Sequence, residues 1–450
     1  MSLRVLLLSV AAAAAFVPLG CASASTLETL YTFCVRGEPC SDGEFPSGGL
    51  LRDGQGDLFG VTQYGGNAGM VYELVPNAKR TKWKERVLHA FNLTDDSLPR
   101  DGGHPTSPLI MDVAGNIYGT VMDGGKVYGG LVFELMPRGG KKWKLKILHE
   151  FCKNTQCSTP TSGFALTYAG ASSGALYDGV SPLYGVEEMN GAHGRGLVFQ
   201  IAPGTAKRWD FKTLYSFCPL GGDCDDGAFP HSGLLIDAAG ALYGMAAGGH
   251  DNPGVIFKLT PNKKKTRWQE AVLHSFSFGF GDGNSPYGGL VMDRNGNLFG
   301  VTAAGGISTA CPYDNGCGTI FELTPAGTTW QETVLHSFCQ LENCTDGLEE
   351  QGEFLEYAQG QLVLDGSGNI FGTTLIGPWG EGGNGLGYGV FYELSGSSFN
   401  VLYTFCHDGG TCSDGSAPRS IFRDDAGNFF GTTGSGGNAT GAGTVFELTP

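Results

Sequence analysis

The stretch Gly296-Asn297-Leu298-Phe299-Gly300-Val301-Thr302 decides the fold, because seven versions of it recur along the chain. The other copies are GDLFGVT from Gly56, GNIYGT from Gly115, SPLYGV from Ser181, GALYGM from Gly240, GNIFGTT from Gly368 and GNFFGTT from Gly427. An Asp precedes the first hydrophobic residue of every copy by five positions, at Asp53, Asp112, Asp178, Asp237, Asp293, Asp365 and Asp424. The copies are spaced by 56 to 72 residues, a period that indicates an array of similar structural units.

Around each copy, hydrophobic runs separated by turn residues predict four short β-strands, which we call a, b, c and d. In the first unit we expect these strands over residues 48–52, 58–62, 70–74 and 86–91. The a–b turn carries Asp53 and Gly56, because Asp accepts local hydrogen bonds and Gly tolerates positive φ. Four such strands form one antiparallel sheet, and seven sheets can bury their faces only by packing on one another.

The two ends of the repeat array predict a closed ring. Residues 444–450 supply strand c of the seventh unit, and residues 28–33 match strand d. The N-terminal strand can therefore complete the last sheet and remove its exposed edge. The sequence predicts an all-β fold over residues 25–450: a seven-bladed β-propeller with four antiparallel strands per blade, closed by pairing of the N-terminal strand with the C-terminal blade. A pair of smaller rings and an open β-solenoid are the alternatives.

Composition sets limits on the class of protein. The chain has 450 residues, 75 of them Gly, without the Gly-X-Y period of collagen. Its hydrophobic fraction of 41% is enough for a packed core. The net charge of −16 argues against general nucleic-acid binding.

The N-terminus resembles an export signal. Arg4 is followed by an apolar run over residues 5–17 and then by small residues, which predicts a signal peptide over residues 1–24. The alternative is a lipoprotein in which Cys21 carries a lipid anchor. Either interpretation predicts a secreted, cell-surface or periplasmic protein.

The remaining twelve cysteines fall into close pairs, which predicts disulfides in an oxidising compartment. The pairs are Cys34/Cys40, Cys152/Cys157, Cys218/Cys224, Cys311/Cys317, Cys339/Cys344 and Cys406/Cys412. The alternative, a metal–thiolate site, normally uses Cys-x-x-Cys spacing, whereas four or five residues separate these cysteines.

Three strings within the repeats carry a family resemblance. GVTAAGG from Gly300, GTIFELTP from Gly318 and GTVFELTP from Gly443 resemble the GloVer tandem repeat of bacterial exported proteins. The resemblance covers nearly all of the chain after the predicted signal peptide. It implies an extracellular or cell-surface location, and it assigns no biochemical activity to any residue.

Polar residues that recur at equivalent positions of the units are interpreted as structural. The D-x-x-G Asp residues are expected to cap their own turns. The D-G-x-x-P loops contain Asp42, Asp101, Asp226, Asp282 and Asp414. Strand d carries His89, His149, His274 and His336 where other units have Tyr31, Tyr215 and Tyr403, so this position indicates packing or hydrogen bonding. No cofactor is predicted; a calcium ion bound by the D-G-x-x-P loops is the alternative.

Residues outside the repeat pattern are the candidates for binding. The b–c loops carry aromatic residues that can stack against sugar rings: Tyr64, Tyr128, Tyr313, Trp379 and Tyr388. The b–c and d–a loops, which share one face, carry His104, His193, His231, His250 and His407. We single out His193 and His250 as ligand-binding candidates beside the aromatic residues, and an acid–base or metal cluster of the five histidines as an alternative.

The opposite face carries a concentration of positive charge, which we call the basic crescent. Its members lie in and beside the c–d loops of the first four units: Lys79, Arg80, Lys82, Lys84, Arg86, Arg138, Lys141, Lys142, Lys144, Lys146, Lys207, Arg208, Lys212, Lys263, Lys264, Lys265 and Arg267. Such a surface can contact an anionic glycan or a membrane.

Two functions remain open from the sequence. The first is a non-enzymatic scaffold that binds an extracellular carbohydrate or protein on the loop face. The second is a glycan hydrolase or lyase with its site at the mouth of the central channel. A pocket of converging, non-repeated carboxylate, His, Arg or Tyr side chains would favour the enzyme.

Overall fold

The computed structural model describes residues 25–37, 39–92, 101–125, 129–139, 142–151, 165–171, 174–205, 208–219, 222, 224–230, 232–248, 253–279, 281–309, 311, 315–348, 362–377, 388–407 and 410–450. The predicted signal peptide and Cys21 lie outside these residues.

The described chain forms seven four-stranded antiparallel sheets. The strands of blades 1 to 4 are β2 Glu44–Arg52, β3 Leu58–Tyr64, β4 Met70–Pro76, β5 Trp83–Ala90, β6 Ile110–Met111, β7 Ile117–Val121, β8 Leu131–Pro137, β9 Trp143–Glu150, β10 Thr167–Tyr168, β11 Leu183–Glu187, β12 Leu197–Pro203, β13 Trp209–Ser216, β14 Leu235–Ile236, β15 Leu242–Ala246, β16 Val255–Pro261 and β17 Trp268–Ser275. Those of blades 5 to 7 are β18 Gly283–Met292, β19 Leu298–Gly305, β20 Thr319–Ala326, β21 Thr329–Ser337, β22 Val363–Leu364, β23 Ile370–Thr374, β24 Val390–Ser395, β25 Ser398–Thr404, β26 Ser416–Arg423, β27 Phe429–Ser435, β28 Thr444–Thr449 and β1 Thr26–Thr32.

The ring closes as the sequence predicts. Strand β1 pairs antiparallel with β28, with Thr26 opposite Thr449 and Thr32 opposite Thr444, and so completes blade 7. The seven-bladed β-propeller is therefore confirmed. The predicted strand positions are also confirmed, but several strands are longer than expected. Strand d of blade 1 begins at Trp83 because this residue pairs with Pro76 and extends the ladder.

The recurrent glycine of strand b makes room for an aromatic ring of strand c. Gly300 lies opposite Phe321, and a Cβ on this glycine would lie 2.5 Å from Phe321 Cζ. The same glycine–aromatic pair occurs in all seven blades, with Tyr in place of Phe at Tyr72 and Tyr392. Glycine covered by a cross-strand ring is a known way to stabilise a strand that lacks a side chain at that point.

Each strand-c ring also joins its blade to the preceding one. A Phe just after strand d of one blade meets the strand-c ring of the next edge-on, with centroids 5.0 to 5.6 Å apart. The pairs are Phe33–Tyr72, Phe91–Phe133, Phe151–Phe199, Phe217–Phe257, Phe276–Phe321, Phe338–Tyr392 and Phe405–Phe446. All fourteen rings are buried. At every blade junction, these contacts form part of the hydrophobic core between neighbouring blades.

Disulfides are present at five of the six predicted pairs: Cys34–Cys40, Cys218–Cys224, Cys311–Cys317, Cys339–Cys344 and Cys406–Cys412. Cys152 and Cys157 lie outside the described residues. In four of the bridges, the second Cys is the first residue of a Cys-x-Asp-Gly sequence, so the bridge lies directly before the loop that carries that Asp. In the described part of the chain, no helix has the length and apolar character needed to cross a membrane.

Candidate ligand-binding face

The Asp residues of the D-x-x-G turns accept hydrogen bonds from the backbone of their own turns. In all seven turns, Asp Oδ1 accepts two backbone N–H groups from residues two to four positions later, at 2.7 to 3.0 Å. The structural interpretation of these residues is confirmed.

The Asp residues of the D-G-x-x-P loops bind the Tyr or His of strand d. Tyr31, Tyr215 and Tyr403 donate their hydroxyl hydrogens to Asp42, Asp226 and Asp414 at 2.9, 2.6 and 2.8 Å. His89 Nε2 lies 3.0 Å from Asp101 Oδ2, and His336 Nε2 lies 3.0 Å from Asp346 Oδ2. Asp346 belongs to this set although no Pro follows it. The hydrogen-bonding role of the strand-d position is confirmed at these five junctions.

Two of these junctions also hold a half-buried Glu from strand d of the following blade. Burial, aided by the charge of Asp42, raises the pKa of Glu85 to about 7. Burial and the charge of Asp226 raise the pKa of Glu270 to about 7 in the same way. These carboxyl groups recur at blade junctions on the outer strands.

Strand a lines the central channel. Ser420 Oγ donates to Gly48 O at 2.6 Å, and Ser47 Oγ donates to Pro105 O at 3.0 Å, so the a strands of neighbouring blades contact one another. They enclose a cavity of about 560 Å³ with mainly apolar walls. Among the described residues lining it, Arg423 is the one charged side chain.

At the d–a end of the channel, five blades share an uncommon backbone conformation. The residue before the loop proline has φ between +52° and +61° in Phe45, His104, Phe229, Ser285 and Ala417. Its N–H donates to a backbone oxygen of the preceding blade at 2.7 to 2.9 Å. A residue before proline normally prefers extended backbone, and non-glycine residues rarely adopt positive φ.

The proline that follows fixes this arrangement. Its ring packs on the glycine that precedes strand c of the preceding blade, where any side chain would collide with it. The pairs are Pro46–Gly443, Pro105–Gly69, Pro230–Gly196, Pro286–Gly254 and Pro418–Gly389. The five preceding side chains are partly exposed and are held around the channel mouth by the junctions between blades.

Three blades contribute to one group of side chains at this mouth, which we call the aromatic cluster: Arg419, Phe45, Tyr64, His104 and Asp123. The Arg419 guanidinium lies 4.3 Å from the centroid of the Phe45 ring. The Tyr64 ring lies 5.7 Å from Phe45 and 5.3 Å, edge-on, from His104. His104 Nδ1 forms a short contact with Asp123 Oδ2. Tyr64 is 40% exposed, so its ring is open to a ligand beside fixed polar groups.

The structure describes some of the predicted site residues but not others. Tyr64 and Tyr388 are exposed on this face, and His193 is exposed in the b–c loop of blade 3. The predicted residues Tyr128, Tyr313, Trp379 and His250, together with His231, lie outside the described residues.

Within the described chain, one His/Cys/Asp/Glu group has its ligand atoms within 4.8 Å of one another, and it consists of His274, Asp282 and Glu332. It contains none of the loop histidines, so the described residues give no support to the predicted histidine cluster. Sequence reasoning also missed Phe45 and Arg419. Phe45 precedes the proline of a D-G-x-x-P loop, and this position was the available signal.

The Gloeobacter/Verrucomicrobia repeat model matches residues 20–182 and 167–363, which is well over half of the chain. The chain belongs to this family. No curated protein matches this GloVer-repeat chain.

Solved structures similar to the GloVer-repeat chain have low sequence identity to it. An ancestral GH74 enzyme is 10% identical with a TM-score of 0.54, over 90% of this chain and 48% of that one. PorZ, a surface component of the type-IX secretion system of Porphyromonas gingivalis, is 13% identical with a TM-score of 0.47, over 88% and 46%. The GloVer-repeat chain thus spans about half the length of these two proteins. A PL25 ulvan lyase is 11% identical with a TM-score of 0.47, over 81% and 86%.

On the opposite face, the structure gives the basic crescent of this GloVer-repeat protein a narrower membership. Arg86 and Lys146 lie within strands β5 and β9, where they pair with Glu73 and Glu134 at 2.7 and 2.8 Å. Lys141 and Lys207 lie outside the described residues. The other members are exposed on the c–d side of blades 1 to 4: Lys79, Arg80, Lys82, Lys84, Arg138, Lys142, Lys144, Arg208, Lys212, Lys263, Lys264, Lys265 and Arg267.

Proposed function

We propose that this protein is a non-enzymatic extracellular scaffold that binds a carbohydrate chain at the aromatic cluster. The observation that carries the proposal is the exposed Tyr64 ring, set between Phe45 and His104. Sugar-binding pockets combine aromatic faces with a few polar groups at fixed positions. The His104–Asp123 pair supplies such groups here, while the buried Arg419 supports the Phe45 ring.

The rigidity of the cluster supports binding without a large ordering cost. Phe45 and His104 are held by inter-blade hydrogen bonds of 2.8 Å each from their backbone N–H groups. Because these residues are fixed before the ligand arrives, less conformational freedom is lost on binding. Five disulfides support placement in an oxidising compartment outside the cytoplasm.

The channel lining favours the scaffold over the alternative of a glycan hydrolase. Glycosidases use two carboxyl groups that flank the scissile bond. The described walls of the 560 Å³ cavity supply no such pair, and the recurrent Asp residues are hydrogen-bonded within turns or at blade junctions.

A panel of bacterial and plant polysaccharides, followed by calorimetric titration of the best binder, tests the proposal. Tyr64→Ala should weaken binding about tenfold, because loss of one stacking ring removes on the order of 1.4 kcal/mol. Tyr388→Ala is the matched control, since Tyr388 is 42% exposed against 40% for Tyr64 but has no ring contact with the cluster. The affinity of the Tyr388→Ala variant for the polysaccharide should stay within about twofold of the native value.

The same polysaccharides should be incubated with the protein and assayed for reducing ends and for unsaturated products. Their release would favour the enzyme. Binding unaffected by Tyr64→Ala would remove the aromatic cluster as the site.

A further inference from the structure

We propose that the junction between blades 4 and 5 binds a divalent transition-metal ion such as Zn²⁺ through His274 Nε2, Asp282 Oδ1 and Glu332 Oε1. His274 lies in strand d of blade 4, Asp282 lies in the loop that follows, and Glu332 lies in strand d of blade 5. The ion would tie the two blades together.

Geometry is the first argument. The ligand atoms of the three side chains all lie within 4.8 Å of one another, and His274 Nε2 is 3.6 Å from Asp282 Oδ1. Zinc binds nitrogen and oxygen ligands at roughly 2.0–2.2 Å, so two ligands of a tetrahedral ion are about 3.3–3.6 Å apart. The His–Asp separation is already close to this value, and Glu332 needs only a small movement.

Unsatisfied polar atoms are the second argument. His274 Nε2, Asp282 Oδ1 and Glu332 Oε1 are each buried and lack a hydrogen-bond partner among the described residues. A buried polar atom without a partner is uncommon in a folded protein and costs stability. One cation would satisfy the three atoms together.

The other blade junctions provide an internal comparison. His89 and His336 reach their Asp partners at 3.0 Å, whereas His274 stays 3.6 Å from its own. Glu332 pairs with the last Leu of strand c in its own blade. The equivalent strand-d residue is Leu145 at the junction of His89 and Asp101, and Phe399 at the junction of His336 and Asp346. Glu85 and Glu270 occupy this position where strand d of the preceding blade supplies Tyr. Of the junctions that the structure describes, His, Asp and Glu therefore meet at one.

The surroundings of Asp282 support metal binding. Its other oxygen, Oδ2, accepts the Ser277 N–H at 2.8 Å and the Ser277 hydroxyl hydrogen at 2.9 Å, which turns Oδ1 toward His274. Such outer contacts commonly orient metal-binding carboxylates. The side chains of His274 and Asp282 are 20% and 19% exposed, so the site lies near the protein surface although the three ligand atoms are covered. One imidazole with two carboxylates suits Zn²⁺ better than Ca²⁺, which takes six to eight oxygen ligands.

The test uses the full disulfide-bonded protein, stripped with a chelator and titrated with ZnCl₂ by calorimetry. The metal-to-protein ratio is then measured after gel filtration. Two variants each remove one ligand and reproduce a combination of residues found at another junction of this chain. His274→Tyr reproduces the junction of Tyr215, Asp226 and Glu270. Glu332→Leu reproduces the junction of His89 and Asp101, where Leu145 stands at the equivalent position. The control His89→Tyr copies the junction of Tyr403 and Asp414. Circular dichroism checks that each variant is folded.

The native protein and His89→Tyr should bind about one Zn²⁺ per chain and gain thermal stability on adding it, because an ion that binds only the folded state stabilises it. His274→Tyr and Glu332→Leu should each lose at least about tenfold in affinity, as expected for loss of a direct ligand. If either variant is misfolded, Glu332→Gln, which keeps the side-chain volume, takes its place. The proposal is overturned if the native protein binds no Zn²⁺, or if folded ligand variants bind it as tightly as the native protein.

Discussion

Replacement of the recurrent strand-b glycine tests why the repeated phrase has its sequence. In Gly300→Ala the new Cβ would lie 2.5 Å from Phe321 Cζ, 3.0 Å from Phe321 Cε1 and 3.1 Å from Leu290 Cδ2. The Phe321 ring is fully buried and meets Phe276 edge-on, with centroids 5.4 Å apart. The ring therefore cannot move aside without disturbing the contact between blades 4 and 5.

The expected loss follows from two opposing terms. Inserting a methyl group into a packed core costs about 1–3 kcal/mol. Exchange of glycine for alanine returns roughly 0.5 kcal/mol, because the unfolded chain has less conformational freedom. We expect Gly300→Ala to lower the free energy of unfolding by about 1.5 kcal/mol, measured by urea denaturation followed through tryptophan fluorescence with the disulfides intact.

Gly366→Ala is the matched control, because a Cβ at Gly366 meets no atom within 4 Å. Its effect should stay within about 0.5 kcal/mol. In the background of Phe321→Leu, where the ring is absent, Gly300→Ala should cost at least about 1 kcal/mol less than in the native protein. The explanation is wrong if the two alanine substitutions have equal effects, or if the cost of Gly300→Ala is the same with and without the ring.

Three further predictions concern the junctions and the basic face. Burial, with the charge of Asp226, raises the pKa of Glu270 from 4.5 to about 7. The stability of the folded protein with protonated Glu270 is therefore fully present below about pH 4.5 and is lost as the pH rises through 7, because the carboxyl group then becomes charged in its buried position. Glu270→Gln should therefore match the native protein at pH 4.5 and exceed its unfolding free energy by on the order of 1 kcal/mol at pH 8, after allowance for solvent screening; urea curves at both pH values check this. Phe33→Ala should lower the unfolding free energy by about 3–5 kcal/mol, because this buried ring closes blade 7 on Tyr72, and a loss below about 1 kcal/mol in the same assay would contradict closure there. Serine at both Lys263 and Lys264 should weaken binding of the protein to anionic vesicles in a sedimentation assay, and native binding should itself fall with added salt; binding insensitive to salt would exclude the basic crescent as an electrostatic surface.

Much of the fold could be predicted because every blade needs the same residue types at the same positions. The Asp–Gly turn, the glycine beneath a ring and the alternating strand residues recur at fixed offsets, so the number of blades could be counted. Ring closure followed from Tyr31, which stands where other units have the strand-d His. The Tyr31–Asp42, His89–Asp101 and His336–Asp346 pairs are separated by only 10 to 12 residues, so their nearly equal spacing could have predicted these hydrogen bonds.

The candidate sites were harder to predict because they join different blades. Arg419 and Phe45 are far apart in the sequence but adjacent at the closing junction. The positive φ of Phe45 also departs from the preference of a residue before proline, so its side-chain direction could not be inferred. His274 shares its local sequence with His336; what distinguishes it is Glu332 in the following blade, which no local pattern reveals.

Comparison of the blades distinguishes the backbone structure that they share from the side chains that differ between them. Phe45, His104, Phe229, Ser285 and Ala417 share one backbone conformation and one inter-blade hydrogen bond, yet their side chains differ. Positive φ costs a non-glycine residue about 1–2 kcal/mol, and glycine would adopt it without that cost. Because this chain carries a side chain at each of the five positions, folding alone does not explain the residues chosen. Backbone strain is often retained at functional sites. Under the proposed function, ligand specificity would depend on these variable residues at the channel mouth.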